Sequence, residues 1–200
     1  MISSIWLFNK QGIIMSNNLI DGIKSPEDLL AWLNKNITYE SKKKGYLRLP
    51  EQVIKDKKAH CWEACDLTHI VLTHLGYPVE TLYIDTRNCS VTHTAIIYTH
   101  NHKYYWFEWA WKKYEGIHEF KSFDDLIDYF RTCFIEEYGT HYTFVKTRAL
   151  LINKDSTEES IVKNINTLTF NLNNYLIKRN HKSNLSIESF IDNRPSYLRW

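Results

Sequence analysis

Three residues of this chain have the types and spacing of a cysteine nucleophile, its base and an orienting carboxylate: Cys61, His93 and Glu108. Cys61, Ala64, Cys65, Thr68, Val71, Leu72 and Leu75 recur at three- and four-residue steps, which predicts a helix with a broad buried face that opens at or near Cys61. Unpaired N–H groups and the helix dipole favour an anion in a first turn, so a thiolate is stabilised there. The cysteine's own N–H can also point toward the oxygen of a reacting carbonyl. Taken alone, Cys61 reads first as a small buried hydrophobe, the commoner fate of a cysteine. Gly76 stands where a left-handed C-terminal cap is wanted, and Pro78 prevents continuation.

Residues 91–98 and 104–109 are rich in β-branched and aromatic types and flank the polar Thr99-His100-Asn101-His102, a pattern that predicts a β-hairpin. A loop of four residues, Thr99 to His102, or of two, His100-Asn101, sets one and the same register, with His93 directly opposite Glu108. Directly opposed residues share a face, with Cβ atoms roughly 4.5–5.5 Å apart. A carboxylate there fixes the imidazole tautomer and leaves the other ring nitrogen for the thiol. An ordinary cross-strand His–Glu pair satisfies the same spacing. Asp85, in the loop before the histidine strand, is the main competitor for the orienting role, and Glu115 a weaker one.

Lys58-Ala59-His60-Cys61-Trp62-Glu63, at the start of a helix that ends in Leu75-Gly76-Tyr77, resembles the nucleophile segment of the transglutaminase-like superfamily of papain-type folds. Thr92-His93-Thr94-Ala95 resembles its histidine strand, and Tyr105-Trp106-Phe107-Glu108 stands where the third triad member is carried; most members have Asp in place of Glu108. The similarity covers residues 25–145. It implies an α+β fold with the nucleophile helix packed on an antiparallel sheet, and thiolate attack on a carboxamide or peptide carbonyl through a thioester resolved by water or an amine. The substrate is then a protein, a peptide or a small amide. Trp62, Trp106 and Trp109 are the candidate substrate-binding residues, with Trp111 as a further cleft wall; core packing is the better explanation for at least two of Trp106, Trp109 and Trp111.

Ser25-Pro26-Glu27-Asp28 carries an N-cap serine, proline at the first helical position and an acidic residue three after the cap, which starts a helix through about residue 34. Lys42-Lys43-Lys44-Gly45 reads as a solvated turn and Leu49-Pro50-Glu51 as the opening of a short helix. Residues 79–84 read as a strand, 85–90 as a polar loop, Ser122-Phe123-Asp124-Asp125 as another helix start and 142–145 as a last strand. Beyond Asn153 the chain turns Asn- and Lys-rich, with one helix expected over 157–177. The division is an N-terminal extension (1–24), a catalytic domain (25–152) and a C-terminal helical appendage (153–200). Met15 offers an alternative start.

The 200 residues are 44% hydrophobic and 24% charged, the composition of an ordinary globular protein with one well-filled core. A net charge of +2 gives little long-range attraction to nucleic acid, and no apolar run reaches the length of a membrane span. Neither partner is expected. The opening residues lack the basic start and cleavage site of a signal peptide, and four scattered cysteines do not make a disulfide framework, so a cytoplasmic location is expected. No cofactor and no metal are expected. Three other readings remain open. Arylamine-type N-acetyltransferases resemble the same fold and place an acid fifteen residues after the histidine, but usually carry Gly-Gly where this chain has Lys58-Ala59-His60. Cys61, Cys65 and His69, with His100 and His102, offer zinc ligands on a helix and a turn. A non-catalytic interaction module keeps the fold without the chemistry.

Overall fold

The structure is a computed structural model that describes residues 22–41, 46–86, 91–139 and 143–147, together with Thr157 and Ser160. Ser25 caps α1 (Pro26–Asn36): its Oγ accepts the Asp28 N–H at 3.1 Å, and Pro26 fills a position where no donor is missed. The chain then passes through β1 (Thr38–Tyr39), α2 (Pro50–Asp56) and β2 (Lys58–Ala59), which pairs in parallel with β1, into α3 (Cys61–His74). That helix stops in a Schellman turn. Gly76 takes φ +90°, the Tyr77 N–H donates to Leu72 O and the Gly76 N–H to Thr73 O.

Five antiparallel strands follow from Pro78 onward, interrupted by one helix. They are β3 (Val79–Thr86), β4 (Val91–His100), β5 (Lys103–Glu108), β6 (Gly116–Phe120) and, after α4 (Phe123–Tyr138), β7 (Thr143–Thr147). Their order in the sheet is β6-β5-β4-β3-β7. Helices cover both faces. Ile96, Tyr98 and Phe107 pack with Leu29 and Leu33 of α1, Val53 of α2 and Leu67, Val71 and Leu72 of α3. Leu82, Ala95, Ile97 and Trp106, on the opposite face by the two-residue alternation, pack with Leu126, Ile127, Phe130 and Phe134 of α4. The α+β class with the Cys61-bearing helix on an antiparallel sheet is therefore the observed architecture.

Three readings change. The loop expected over 85–90 starts later, because Asp85 and Thr86 find backbone partners in Thr92 and Val91 and extend β3. Strand β6 had no clear sequence signal: Gly-Ile-His-Glu-Phe alternates weakly, and it lies at the sheet edge with no fully buried side chain. The hairpin register also differs. The turn is Asn101-His102, both left-handed at φ 48° and 62°, the conformation of a two-residue turn that matches strand twist. Its ladder pairs His100 with Lys103, Ile97 with Trp106 and Ile96 with Phe107, two positions away from the expected alignment of His93 with Glu108. A two-position shift keeps every side chain on its face. The helix expected over 157–177 and the boundary at 153 lie outside the described residues, except that Thr157 bridges to Tyr46 and hydrogen-bonds Ser160.

The start of α3 is clamped from behind. Glu63 has no exposed surface, and its carboxylate accepts the Arg48 N–H at 2.6 Å, the Arg48 guanidinium at 3.2 Å and the His60 N–H at 2.9 Å. Arg48 is tied in turn to Glu40 at 2.6 Å and Asp56 at 3.0 Å. Removing one partner of a buried ion pair strands the other charge. Arg48→Met keeps the packed stem but not the charge and is expected to destabilise the fold by about 3 kcal/mol, read from the urea midpoint at neutral pH. A loss under about 1 kcal/mol would mean that the two backbone donors suffice for Glu63.

Candidate active site

Cys61 is the first residue of α3, after the extended N-cap His60 (φ −85°, ψ 165°), so its sulfur sits at the positive end of a 14-residue helix. His93 and Glu108 lie beyond Ile96 and Phe107, the last pair of the β4–β5 ladder, where the two strands part. Glu108 approaches His93 diagonally instead of directly, and Oε2 lies 2.8 Å from His93 Nε2. With Nε2 taken, Nδ1 is the nitrogen left for Cys61, whose negative charge is among the influences that raise the His93 imidazolium. All three are buried: Cys61 is 2% exposed, His93 8% and Glu108 1%.

Four donors hold the acid. Besides His93, the Trp106 indole N–H reaches Oε2 at 3.2 Å, and the backbone N–H groups of Ala110 and Trp111 reach Oε1 at 2.9 and 2.8 Å. The Trp111 ring meets His93 edge-on at 5.6 Å and packs against Tyr114, Phe134 and Tyr138. The imidazole is thus fixed by a carboxylate at one nitrogen and an indole beside the ring.

Two opposed shifts follow from this packing. Burial pushes the His93 imidazolium down, but the Glu108 charge and the hydrogen bonds to Cys61 and Glu108 outweigh it and raise the group to about 10. Burial pushes the Cys61 thiol up, but hydrogen bonds from His60 and His93 and their positive charge bring it down to about 7. Both shifts favour a thiolate–imidazolium pair beside a carboxylate. Cys65, one turn along the same helix, shows the opposite behaviour. It donates to Thr94 O at 3.1 Å, and burial together with the Glu108, Cys61 and Asp66 charges pushes its thiol far up.

Of the competitors for the orienting role, Glu115 is bound to Asn34 and Lys112. The backbone of Asp85 pairs with Thr92 in the sheet, and its side chain lies outside those described. The zinc reading loses two of its donors: Cys65 is spent on Thr94 O, and His69 Nδ1 is 2.8 Å from Thr81 Oγ1, with burial lowering that histidine to about 4. Among the described residues, no cluster of three or more His, Cys, Asp or Glu side chains is placed to hold a metal ion. Also among them, no helix is long and apolar enough to cross a membrane.

The tryptophans are placed deeper than a cleft wall. Trp62 is 1% exposed, and Trp106, fully buried, stacks on His118 and packs at a tilt against Phe130 while its N–H supports the acid from behind. Trp109 is buried against Tyr39, and its indole N–H has no hydrogen-bond partner among the described residues. Two contributors escaped sequence reasoning. The Ala110 and Trp111 amides belong to the backbone and leave no residue-type signal. His60 is visible as the neighbour of Cys61, but only the fold shows its Nδ1 at 3.4 Å from the sulfur.

A family profile described as a transglutaminase-like domain matches residues 14–125, more than half of the chain and all three of these residues. No curated protein sequence matches it. Among solved structures, Legionella pneumophila LapG aligns at 18% identity over 51% of this chain and 63% of its own, with a TM-score of 0.39. An EGTA-treated LapG aligns at 19% over 44% and 56% with a TM-score of 0.37, and a calcium-bound LapG at 16% over 51% and 68% with a TM-score of 0.37. The aligned part spans less than two thirds of the first two LapG chains.

The ion pair makes a pH prediction that needs no substrate. Alkylation of Cys61 by iodoacetamide is expected to fall as pH drops through about 7, where the thiolate is protonated, and the His93 ring resonances are expected to titrate near about 10. Glu108→Gln removes the charge that raises His93, so its titration moves to lower pH. A His93 titration that stays in place in Glu108→Gln would remove the carboxylate from the pair.

Proposed function

The chain belongs to the transglutaminase-like domain family, and from that premise we propose that it is a cysteine-dependent acyl-transfer enzyme acting on a carboxamide or peptide carbonyl through a thioester on Cys61. The observation that carries this reading is the juxtaposition of Cys61, His93 and Glu108, with the sulfur at a helix start, its charge felt by the imidazole, and the acid 2.8 Å from that ring. A buried His–Glu pair alone is compatible with structure only. Its connection to a thiol brought down to about 7 is what a nucleophile requires.

In the first half-reaction the Cys61 thiolate attacks the carbonyl carbon, and the carbonyl π pair moves onto oxygen. The first-turn N–H groups of α3 and the helix dipole favour that negative charge. As the oxygen pair returns, the C–N bond breaks and the His93 imidazolium gives its proton to the departing nitrogen. Ammonia or an amine leaves, and the acyl group remains on sulfur. In the second half, neutral His93 takes a proton from water or a primary amine as it attacks the thioester. The C–S pair returns to sulfur, and the thiolate–imidazolium pair is restored. Glu108, held by its four donors, keeps His93 Nδ1 toward the sulfur throughout.

Protein and peptide chains, or a small amide, are the substrates this chemistry fits. Casein offers both glutamine carboxamides and peptide bonds, and a fluorescent primary amine reports transamidation. Amine incorporation, ammonia release without incorporation, and new peptides would identify transamidation, deamidation and proteolysis in turn. Cys61→Ala is expected to lower whichever product forms by about a thousandfold or more, with the fold intact, while Cys65→Ala keeps activity. Loss on Cys65→Ala with activity retained in Cys61→Ala would overturn the assignment.

A further inference from the structure

We propose that His60 is a second imidazole of the site, whose Nδ1–H donates a hydrogen bond to the Cys61 thiolate and holds the sulfur as an anion at rest and when it leaves the acyl group. This rests on the reading of Cys61 as the nucleophile. The nearer ring nitrogen, Nδ1, lies 3.4 Å from Cys61 Sγ, and Nε2 lies 3.9 Å from it. The ring is 6% exposed and lies nearly parallel to Tyr39, with centroids 6.1 Å apart and an interplanar angle of 24°. Its orientation is set by packing. Ser, Thr, Asp and Asn are favoured at an N-cap because the side chain accepts a first-turn N–H. Here the reciprocal half of that exchange is made instead, with the His60 N–H donating to Glu63, and the ring is placed against the sulfur.

The titratable groups around this pair come from every packed element. Glu63 on α3 and Glu40 after β1 are bound to Arg48, Glu108 on β5 is bound to His93, and Cys65 is spent on Thr94 O. Tyr39 covers the ring from β1. Among the described residues, His60 and His93 are therefore the two imidazoles that act on the sulfur, and after burial the His60 hydrogen bond is the largest influence on the thiol. Two donors have separate uses. His93 gives up its proton to the departing nitrogen during acylation, whereas His60 keeps its own. When the thioester is later attacked and the C–S bond breaks, His93 holds the proton taken from water or amine. The electron pair that returns to sulfur then meets the His60 N–H.

The test is a pH titration of thiolate ultraviolet absorbance, with Cys61→Ala as the baseline, in the wild-type chain, His60→Ser and His60→Asn. Ser and Asn are both favoured N-caps, so both variants keep the start of α3, and thermal unfolding checks that they do. Removing a hydrogen bond to a charged group is expected to raise the acid limb in His60→Ser by about one pH unit, about a tenfold smaller thiolate fraction on the acid side. His60→Asn, whose amide N–H can reach the place of Nδ1, is expected to recover most of that shift. A limb in His60→Ser that coincides with wild type, or one in His60→Asn displaced as far as in His60→Ser, overturns the proposal and leaves the Cys61–His93 reading standing. A wild-type chain with no limb near 7 overturns both.

Discussion

A carboxylate with 1% of its surface exposed is costly unless every lone pair is answered, and Glu108 sets the terms for the chain around it. Two of its donors are backbone amides, Ala110 and Trp111, which exist only if β5 ends at Glu108 and the chain turns back on it at once. A third is the indole of Trp106 on the same strand, two residues away and therefore on the same face. The fourth is His93 on the neighbouring strand. Holding these four in place excludes water, which is the work of the ring cluster of Trp106, Trp111, Tyr114, Phe130 and Phe134 and of the helix α4 that carries two of them.

The other half of the site is organised by positive charge around a sulfur. A helix start alone does not make a thiolate, as the two cysteines of α3 show. Cys61 meets two imidazoles and is brought down to about 7, and Cys65, equally buried one turn away, meets a carbonyl oxygen and carboxylate charge and is pushed far up. Position on the helix selects which residue can be reached, and the neighbours decide its chemistry. The Arg48–Glu63 clamp then fixes where that helix begins, because Glu63 is joined both to Arg48 and to the N–H of His60.

Local signals carried much of this structure. Ser25 and Ser122 cap the helices they announce, and Gly76 with Pro78 ends α3 where the sequence says it should. The hairpin was legible in its strands and its facing pattern but not in its alignment, because the conformation of Asn101 and His102 is settled by strand twist and not by residue type alone. Strand β6 is legible only once β5 offers it an edge. The backbone donors to Glu108 and the ring of His60 against the sulfur depend on distances that no spacing rule yields. The tryptophans show the limit of composition: Trp106 and Trp62 are rings of the interior, and Trp106 serves the site through its N–H from behind the acid.

The two-residue turn at Asn101-His102 has an evolutionary reading. Along either arm of the hairpin, between the turn and the His93–Glu108 pair, length is quantised: one residue inserted in β4 swings His93, and one inserted in β5 swings the carboxylate, to the α3 side of the sheet, and only a second brings it back. The turn itself carries no such parity, since residues added there leave the ladder as it is. Descendants of this chain are therefore free to elaborate the tip of the hairpin with segments of any size, while its arms drift only in steps of two or acquire a bulge to absorb the odd residue. The place where the sheet is most permissive to insertion is thus a few residues from the place where it is least so.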